Sequence, residues 1–381
     1  MWPSTAAVRP PCSVSAVPDA RPAPRLVSLA TAVPGNAVRQ SDLRALIAQL
    51  FAGSDAGSAR MLQVFEHAGI EQRQLCMPLD WYGRERTFAE QTAAYVEHAE
   101  RLGGQAAGLA LTRAGLGARD VDHVLFVSST GIATPSLDAR LSLALGCRPD
   151  CKRTPVWGLG CAGGAAGLAR ARDLALADPH ARVLLVAVEL CSLTFRREDR
   201  DKRNLVAASL FGDGAAAVLV QGAAAPALAA PPFAALELLD SESTLWPGTL
   251  GVMGWQVSDQ GLHVVFSRDI PSIVREHVRP GIDAFLARHH LTLAQVRHLV
   301  SHPGGAKVLA AYAEALGRTP ASFEHAHAVL REHGNMSSPT CLFVLERLLA
   351  AGGVGPGEHA LVSALGPGFS AEYVLARGTA A

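Results

Sequence analysis

The sequence predicts an α/β protein of two duplicated halves, each a set of mostly parallel strands covered by helices. Three observations predict it. Apolar runs of strand length alternate with segments of helical period along nearly the whole chain, as parallel strands joined by crossover helices require. A strand that ends in a turn, followed later by a helix opened by small residues, occurs twice: Ser129 precedes Cys161 by 32 residues, and His302 precedes Asn335 by 33. An alanine- and proline-rich stretch, Gln221 to Pro232, separates the two copies as a connector.

Residues 1–24 hold six prolines and one acidic residue without the continuous apolar run of a secretory signal, and read as a disordered tail. Order begins at Arg25, where RLVSLATAVP reads as a strand and QSDLRALIAQLF as an amphipathic helix opened by Ser41. HVLFVSSTG is a buried strand, GCAGGAAGLARARDLALADP a small-residue helix and ARVLLVAVEL a second buried strand. SLFGDGAAAVLV closes a first half assigned to residues 25–225. In the second half, residues 233–381, VRHLVSHPGG repeats the strand and turn. HGNMSSPTCLFVLERLLA repeats the helix, and HALVSALGPG adds a last strand. A pseudo-twofold relation between the halves would bring both helix N-termini to the centre, so that Cys161 and Asn335 face one site.

With 49% hydrophobic residues the chain can bury a large core without staples. Its 34 basic residues balance 34 acidic ones, which leaves no overall field for nucleic acid or an anionic membrane. No apolar run approaches bilayer length, so no membrane insertion is expected. The seven cysteines form no paired framework and suit a reducing cytoplasm.

Cys161 stands in WGLGCAGG, between a short strand and a helix whose N-terminus favours an anion. A thiolate with a lowered pKa is expected there, more so beside an imidazolium, although a buried structural cysteine would fit this segment equally well. His302, at a strand end before Pro303, can act as base to the thiol and as donor to a thioester oxygen. Asn335 can direct an amide N–H at an enolate oxygen; alone it would read as a helix cap. The remaining histidines show no zinc-site spacing, so no metal is expected. Gly158, Gly160 and Gly163, with Glu189 ending the next strand, also match a dinucleotide fingerprint, which keeps an oxidoreductase open as an alternative.

Five ordered segments, GCAGG at Cys161, SLFGDGAAAV at Phe211, SHPGG at His302, HGNMSS at Asn335 and ALGPGFS near the end, resemble type III polyketide synthases, the chalcone-synthase-like branch of the thiolase fold. The resemblance runs from Arg25 onward. It implies a thiolase-like fold with αβαβα layers and a homodimer. It implies a Cys161, His302, Asn335 triad loaded by an acyl-CoA starter and extended by malonyl-CoA, with no resident cofactor. It places Phe211 at the junction of cavity and CoA tunnel, and Gly366, Pro367 and Gly368 as backbone scaffold of the cavity.

Departures concern the product. A second gatekeeping phenylalanine falls on Val264, a glycine of the cavity floor on Trp255, and Leu365 stands where a phenylalanine is usual. Arg60 matches one of three cationic positions at the tunnel mouth; the other two are Gln63 and His67. The segments SSTGIATPSLDARL, VELCSLTF and GLHVVFSRDIP are similar to bacterial alkylresorcinol and alkylpyrone synthases, which implies a long fatty acyl starter in a cavity lined by Cys191, Thr194 and Ser337. A single-condensation ketoacyl synthase III is the nearest alternative.

Overall fold

The computed structural model describes residues 22–53, 59–258 and 261–380. The tail expected over residues 1–24 lies almost wholly outside them, as does Cys12.

The first half runs β1 (Arg25–Ala32), β2 (Asn36–Arg39), α1 (Gln40–Leu50), α2 (Ala59–Glu66), β3 (Gln72–Leu75), α3 (Phe88–Arg113) and β4 (His123–Val127). It continues with α4 (Leu137–Leu145), β5 (Lys152–Val156), α5 (Gly163–Ala177), β6 (Arg182–Leu190), α6 (Lys202–Leu210) and β7 (Asp213–Gln221). The second half has β8 (Leu236–Leu245), β9 (Met253–Ser258), β10 (Gly261–Phe266), α7 (Ile270–Ala287), β11 (Val296–Ser301) and α8 (Ala306–Leu316). It ends with α9 (Glu324–His333), α10 (Thr340–Ala350), β12 (His359–Gly366) and β13 (Ser370–Gly378). Ser41 lies inside the first turn of α1, whose N-cap is Arg39, so it does not open that helix as expected.

Nine strands hydrogen-bond in the order β11-β12-β13-β8-β1-β7-β6-β4-β5. Outward from the β1/β8 junction, β7-β6-β4 of the first half corresponds to β13-β12-β11 of the second, which is the duplication seen in the sequence. The parallel pairings expected from the alternation hold for β5-β4-β6 and β11-β12. The returning strands β7, β1, β8 and β13 pair antiparallel, which makes the sheet mixed. For β12 and β13 the reason is connection length: only the tight turn Pro367–Phe369 separates them, and a turn suffices only for an antiparallel neighbour.

The helices stack these strands into five layers. α3, opened by a capping box between Thr87 and Glu90, covers β1, β6 and β7 on one outer face. α5 and α10 lie in the middle, each touching strands of both halves. α7 and α8 cover the far side, where Phe285 of α7 stacks on Tyr373 of β13 with ring centroids 6.2 Å apart. The central layer is thin because α5 begins GGAAG. A Cβ at Gly164 would stand 2.1 Å from the Ser338 carbonyl oxygen, so the two halves close only on a bare backbone. β6 is buried from Val183 to Leu190, as a strand covered on both faces must be.

Candidate active site

Cys161 sits in a single helical turn, Gly160–Ala162, that leads directly into α5. Gly160 has φ +48°, and a Cβ there would press on Pro367 at 2.8 Å. The Ser129 hydroxyl, just past β4, accepts from the Gly160 N–H at 3.0 Å and holds this turn. On the other side, a Cβ at Gly366 would lie 2.5 Å from the Leu159 carbonyl oxygen. The Gly366-Pro367-Gly368 segment therefore packs on the cysteine turn as scaffold, and it is Leu365 that reaches the cavity.

Asn335 comes from the opposite half, in the loop between α9 and α10. Its Nδ2 and Oδ1 both lie 3.8 Å from the Cys161 Sγ. The Ser337 N–H donates to Oδ1 at 2.8 Å, which turns Nδ2 toward the cavity and the Gly304 carbonyl at 3.3 Å. His302 follows β11 directly, and its backbone N–H donates to the Ser363 carbonyl at 2.8 Å. Its ring is buried, yet neither Nδ1 nor Nε2 has a hydrogen-bond partner among the described residues. A buried imidazole with two open nitrogens is poised to receive something from the cavity it lines.

That cavity measures about 730 Å³ and is lined by Cys161, His302 and Asn335 together. Apolar walls come from Leu210, Met253, Phe266 and Phe369, and Lys202, Arg203, Arg268 and Lys307 line its exposed rim. Arg203 is tied to Asp201 at 2.9 Å. These cations, and Phe266, were not singled out from the sequence. A signal existed: the chain has only three lysines, Lys152, Lys202 and Lys307, and two of them stand here. Arg60, the expected tunnel-mouth cation, is exposed on α2 and is not among the lining residues.

The electrostatics of the site differ from expectation. Burial pushes the Cys161 thiol up to about 11; hydrogen bonding from Ser337 and Asn335 offsets this only in part, and the Glu189 carboxylate adds to it. Burial pushes the His302 imidazole down to about 3. The expected lowering of the thiol by the helix N-terminus is thus outweighed by desolvation. Each group resists charging alone, and proton transfer from thiol to imidazole would let the two opposite charges offset one another.

Phe211 stands in the gap between α6 and β7, bridged to Asn335 through the backbone. Its ring contacts Phe266 at 5.8 Å and Trp255 at 6.3 Å. Behind it lies a second, apolar pocket of about 40 Å³, lined by Cys191, Thr194, Phe211 and Val264 together with Leu43 and Ile47 of α1. The Thr194 hydroxyl donates to the Cys191 carbonyl at 2.8 Å, closing the short turn that carries both. Val264 and Trp255 are cross-strand partners in the β9/β10 hairpin. Trp255 packs behind Phe211 and lines neither cavity, and Ser337 is buried beside Asn335.

The dinucleotide alternative fails on Glu189 and the glycines. Glu189 is fully buried and accepts from the Ser129 N–H at 2.9 Å, Thr130 at 2.8 Å and Ser338 at 2.9 Å, which leaves it no ribose to meet. Gly160 and Gly163 are filled by Pro367 and by Val127 and Ser338, so they serve packing rather than a pyrophosphate.

Comparison with known proteins places the whole chain. The family model for the N-terminal domain of chalcone and stilbene synthases matches residues 16–225, and that for the C-terminal domain matches residues 237–380. The chain is 41% identical over 349 residues to a 1,3,6,8-tetrahydroxynaphthalene synthase of Streptomyces peucetius subsp. caesius, covering 91% of each. It is 31% identical over 362 residues to a 3,5-dihydroxyphenylacetyl-CoA synthase of Streptomyces toyocaensis, covering 93% of this chain and 90% of that one. The crystal structure of 1,3,6,8-tetrahydroxynaphthalene synthase from Streptomyces coelicolor superposes with a TM-score of 0.87 at 28% identity, over 94% of this chain and 100% of that one.

Proposed function

The chain belongs to the chalcone and stilbene synthase family and is a type III polyketide synthase, an acyltransferase of the condensing kind; from that premise we propose that Cys161, His302 and Asn335 are its catalytic residues. The Cys161 sulfur attacks the carbonyl of an acyl-CoA starter. Its proton passes to His302 and on to the departing CoA thiolate as the new thioester forms and the old one breaks. Malonyl-CoA then loses CO2, leaving an enolate whose oxygen accepts from the Asn335 Nδ2–H. The enolate carbon attacks the acyl group on Cys161, a C–C bond forms, and the cysteine sulfur leaves. Neither step calls for a resident cofactor.

One observation carries this reading: a sulfur, an imidazole with two open nitrogens and an oriented amide converge on a single cavity whose rim carries four cations. Lys202, Arg203, Arg268 and Lys307 suit the phosphates of CoA, a role the sequence suggested for Arg60. Incubation with malonyl-CoA and a panel of acyl-CoAs, followed by mass spectrometry of protein and products, tests it. Polyketide formed with no acyl adduct on Cys161 would overturn it.

For the starter we propose a long fatty acyl-CoA, cyclised to an alkylpyrone or alkylresorcinol. The apolar pocket beyond Phe211, walled by Leu43, Ile47 and Cys191, supports this. Its small volume supports a second reading with a short or malonyl starter, in line with the aromatic products that name the two Streptomyces relatives. Comparing kcat/KM for starters from about four to eighteen carbons separates the two, since each buried methylene is worth about 0.8 kcal/mol. A cytoplasmic homodimer is also proposed. Ile132 and Trp157 are about half exposed beside the edge strand β5, and Leu143 is 84% exposed on the neighbouring α4, a surface suited to a second copy. Light scattering that gives the mass of a single chain would refute it.

A further inference from the structure

At the junction of α6 and β7 a buried arginine grips the backbone that carries both Phe211 and Asn335. Arg73, on β3, is 0% exposed. Its Nη1 donates to the carbonyls of Ala208 at 3.1 Å and Phe211 at 2.8 Å. Its Nη2 donates to the Ser209 carbonyl at 2.9 Å and to the Gln40 amide oxygen. Gln40 in turn donates to the same Ser209 carbonyl at 3.1 Å. These carbonyls are the C-terminal end of α6, where the last oxygens lack helical donors and the helix dipole favours a cation.

The same stretch of chain holds Asn335. The Asn335 N–H donates to the Leu210 carbonyl at 2.9 Å, and the Gly212 N–H donates to the Asn335 carbonyl at 3.0 Å. There is no slack between them: a Cβ at Gly212 would stand 2.4 Å from the His333 carbonyl oxygen, and one at Gly334 would stand 2.8 Å from the Leu210 carbonyl oxygen. α6 also faces both cavities, with Val206 and Leu210 on the larger and Ala207 and Ala208 on the smaller.

We propose that Arg73, steadied by Gln40, is a positioning residue that fixes the Asn335 amide against Cys161. It acts through the α6 carbonyls and touches no substrate. Burial lowers its pKa to about 9, opposed by the charge of Asp213, and it remains a cation at neutral pH. The planar fork reaches three backbone carbonyls from two separate nitrogens; a lysine keeps the charge and has three N–H donors, but all of them radiate from one nitrogen. The proposal rests on Asn335 being the donor to the malonyl-derived enolate, so the two are tested side by side.

The measurement is a ratio within one sample: decarboxylation of malonyl-CoA to acetyl-CoA, divided by acyl loading on Cys161 read by intact-protein mass spectrometry. A loss of folded protein lowers both numbers and leaves the ratio alone. Displacing Asn335 lowers the ratio, because Cys161 is held by a different loop. The expected result for Arg73→Lys is a fall in the ratio of about tenfold, since a misplacement of order 1 Å costs up to about a hundredfold. Gln40→Leu should lower it in the same direction by about threefold. If Arg73→Lys does not load at all, Gln40→Leu decides alone. Unchanged ratios in these variants, beside a lowered ratio in Asn335→Ala, overturn the role of Arg73 and leave the donor in place. An unchanged ratio in Asn335→Ala removes the donor itself, and the proposal falls with it.

Discussion

The two cavities that flank α6 are made of different material. The larger draws Cys161 from the first half and His302 and Asn335 from the second, and it gathers cations at its rim. The smaller is walled by α1, the turn after β6, α6 and β10, and among the described residues its lining carries no lysine, arginine or carboxylate. Reacting groups thus sit on strand ends and helix starts locked between two halves, while the apolar pocket is shaped by side chains of a peripheral helix and a hairpin. Chemistry and selectivity are therefore separable, and substitutions can be chosen to part them.

The largest effect belongs to the thiol. Cys161→Ala should abolish both the acyl adduct and product formation, since among the described residues no other cysteine lines the larger cavity. A stoichiometric adduct in that variant, seen by intact-protein mass spectrometry, would move the nucleophile elsewhere. Asn335→Ala should cost decarboxylation about 2.7 to 4 kcal/mol, the worth of an oxyanion donor, and leave loading within a few fold. Equal small losses in both reactions would end the distinction between the two roles.

The next test is one of pH. With the thiol pushed up to about 11 by burial, removal of the imidazole in His302→Gln leaves the thiol to ionise unaided. Because thiolate is the reactive form, its alkylation by iodoacetamide should then climb about tenfold per unit from about pH 7 to about pH 9. Wild type, where the proton can pass to His302, should react faster at about pH 7 and climb less steeply. A steep climb in both would show that His302 does not take the proton.

Smaller effects fall on the pocket and the rim. Cys191→Phe should fill the apolar pocket and shift the starter preference to shorter chains, by about fourfold in kcat/KM for each methylene excluded. A decarboxylation rate that falls with it would join the two cavities into one functional unit. Lys307→Ala should raise the KM for CoA thioesters by about fivefold at low ionic strength and by less in high salt, with kcat unchanged, as befits an exposed charge. A fall in kcat alone would place Lys307 in the chemistry.

Much of this was legible in the sequence because it depends on local pattern. The duplication showed in the near-equal spacings from Ser129 to Cys161 and from His302 to Asn335. The buried strand β6 showed as an unbroken apolar run, and the glycines at Cys161 and Asn335 announced turns where backbones crowd. Five ordered motifs gave the family and the three residues that line one cavity. Arg60, expected at the tunnel mouth, lies exposed on α2 outside the lining of the larger cavity, because a position in a motif does not fix where a surface helix points. The thiol was expected low because its helix was visible and its burial was not.

What the sequence by itself determined is therefore the class of fold and the repeated unit, which follow from periodicity and residue type within short windows, and, through the family resemblance, the residues proposed to react. Tertiary structure alone decided the direction of the returning strands, the desolvation of Cys161 and His302, the four cations on the rim and the separation of two cavities by α6. Each of these depends on what lies across the gap between the halves. Desolvation, and the approach of Arg73 to carbonyls some 135 to 138 residues away, are sums over neighbours that only folding brings together.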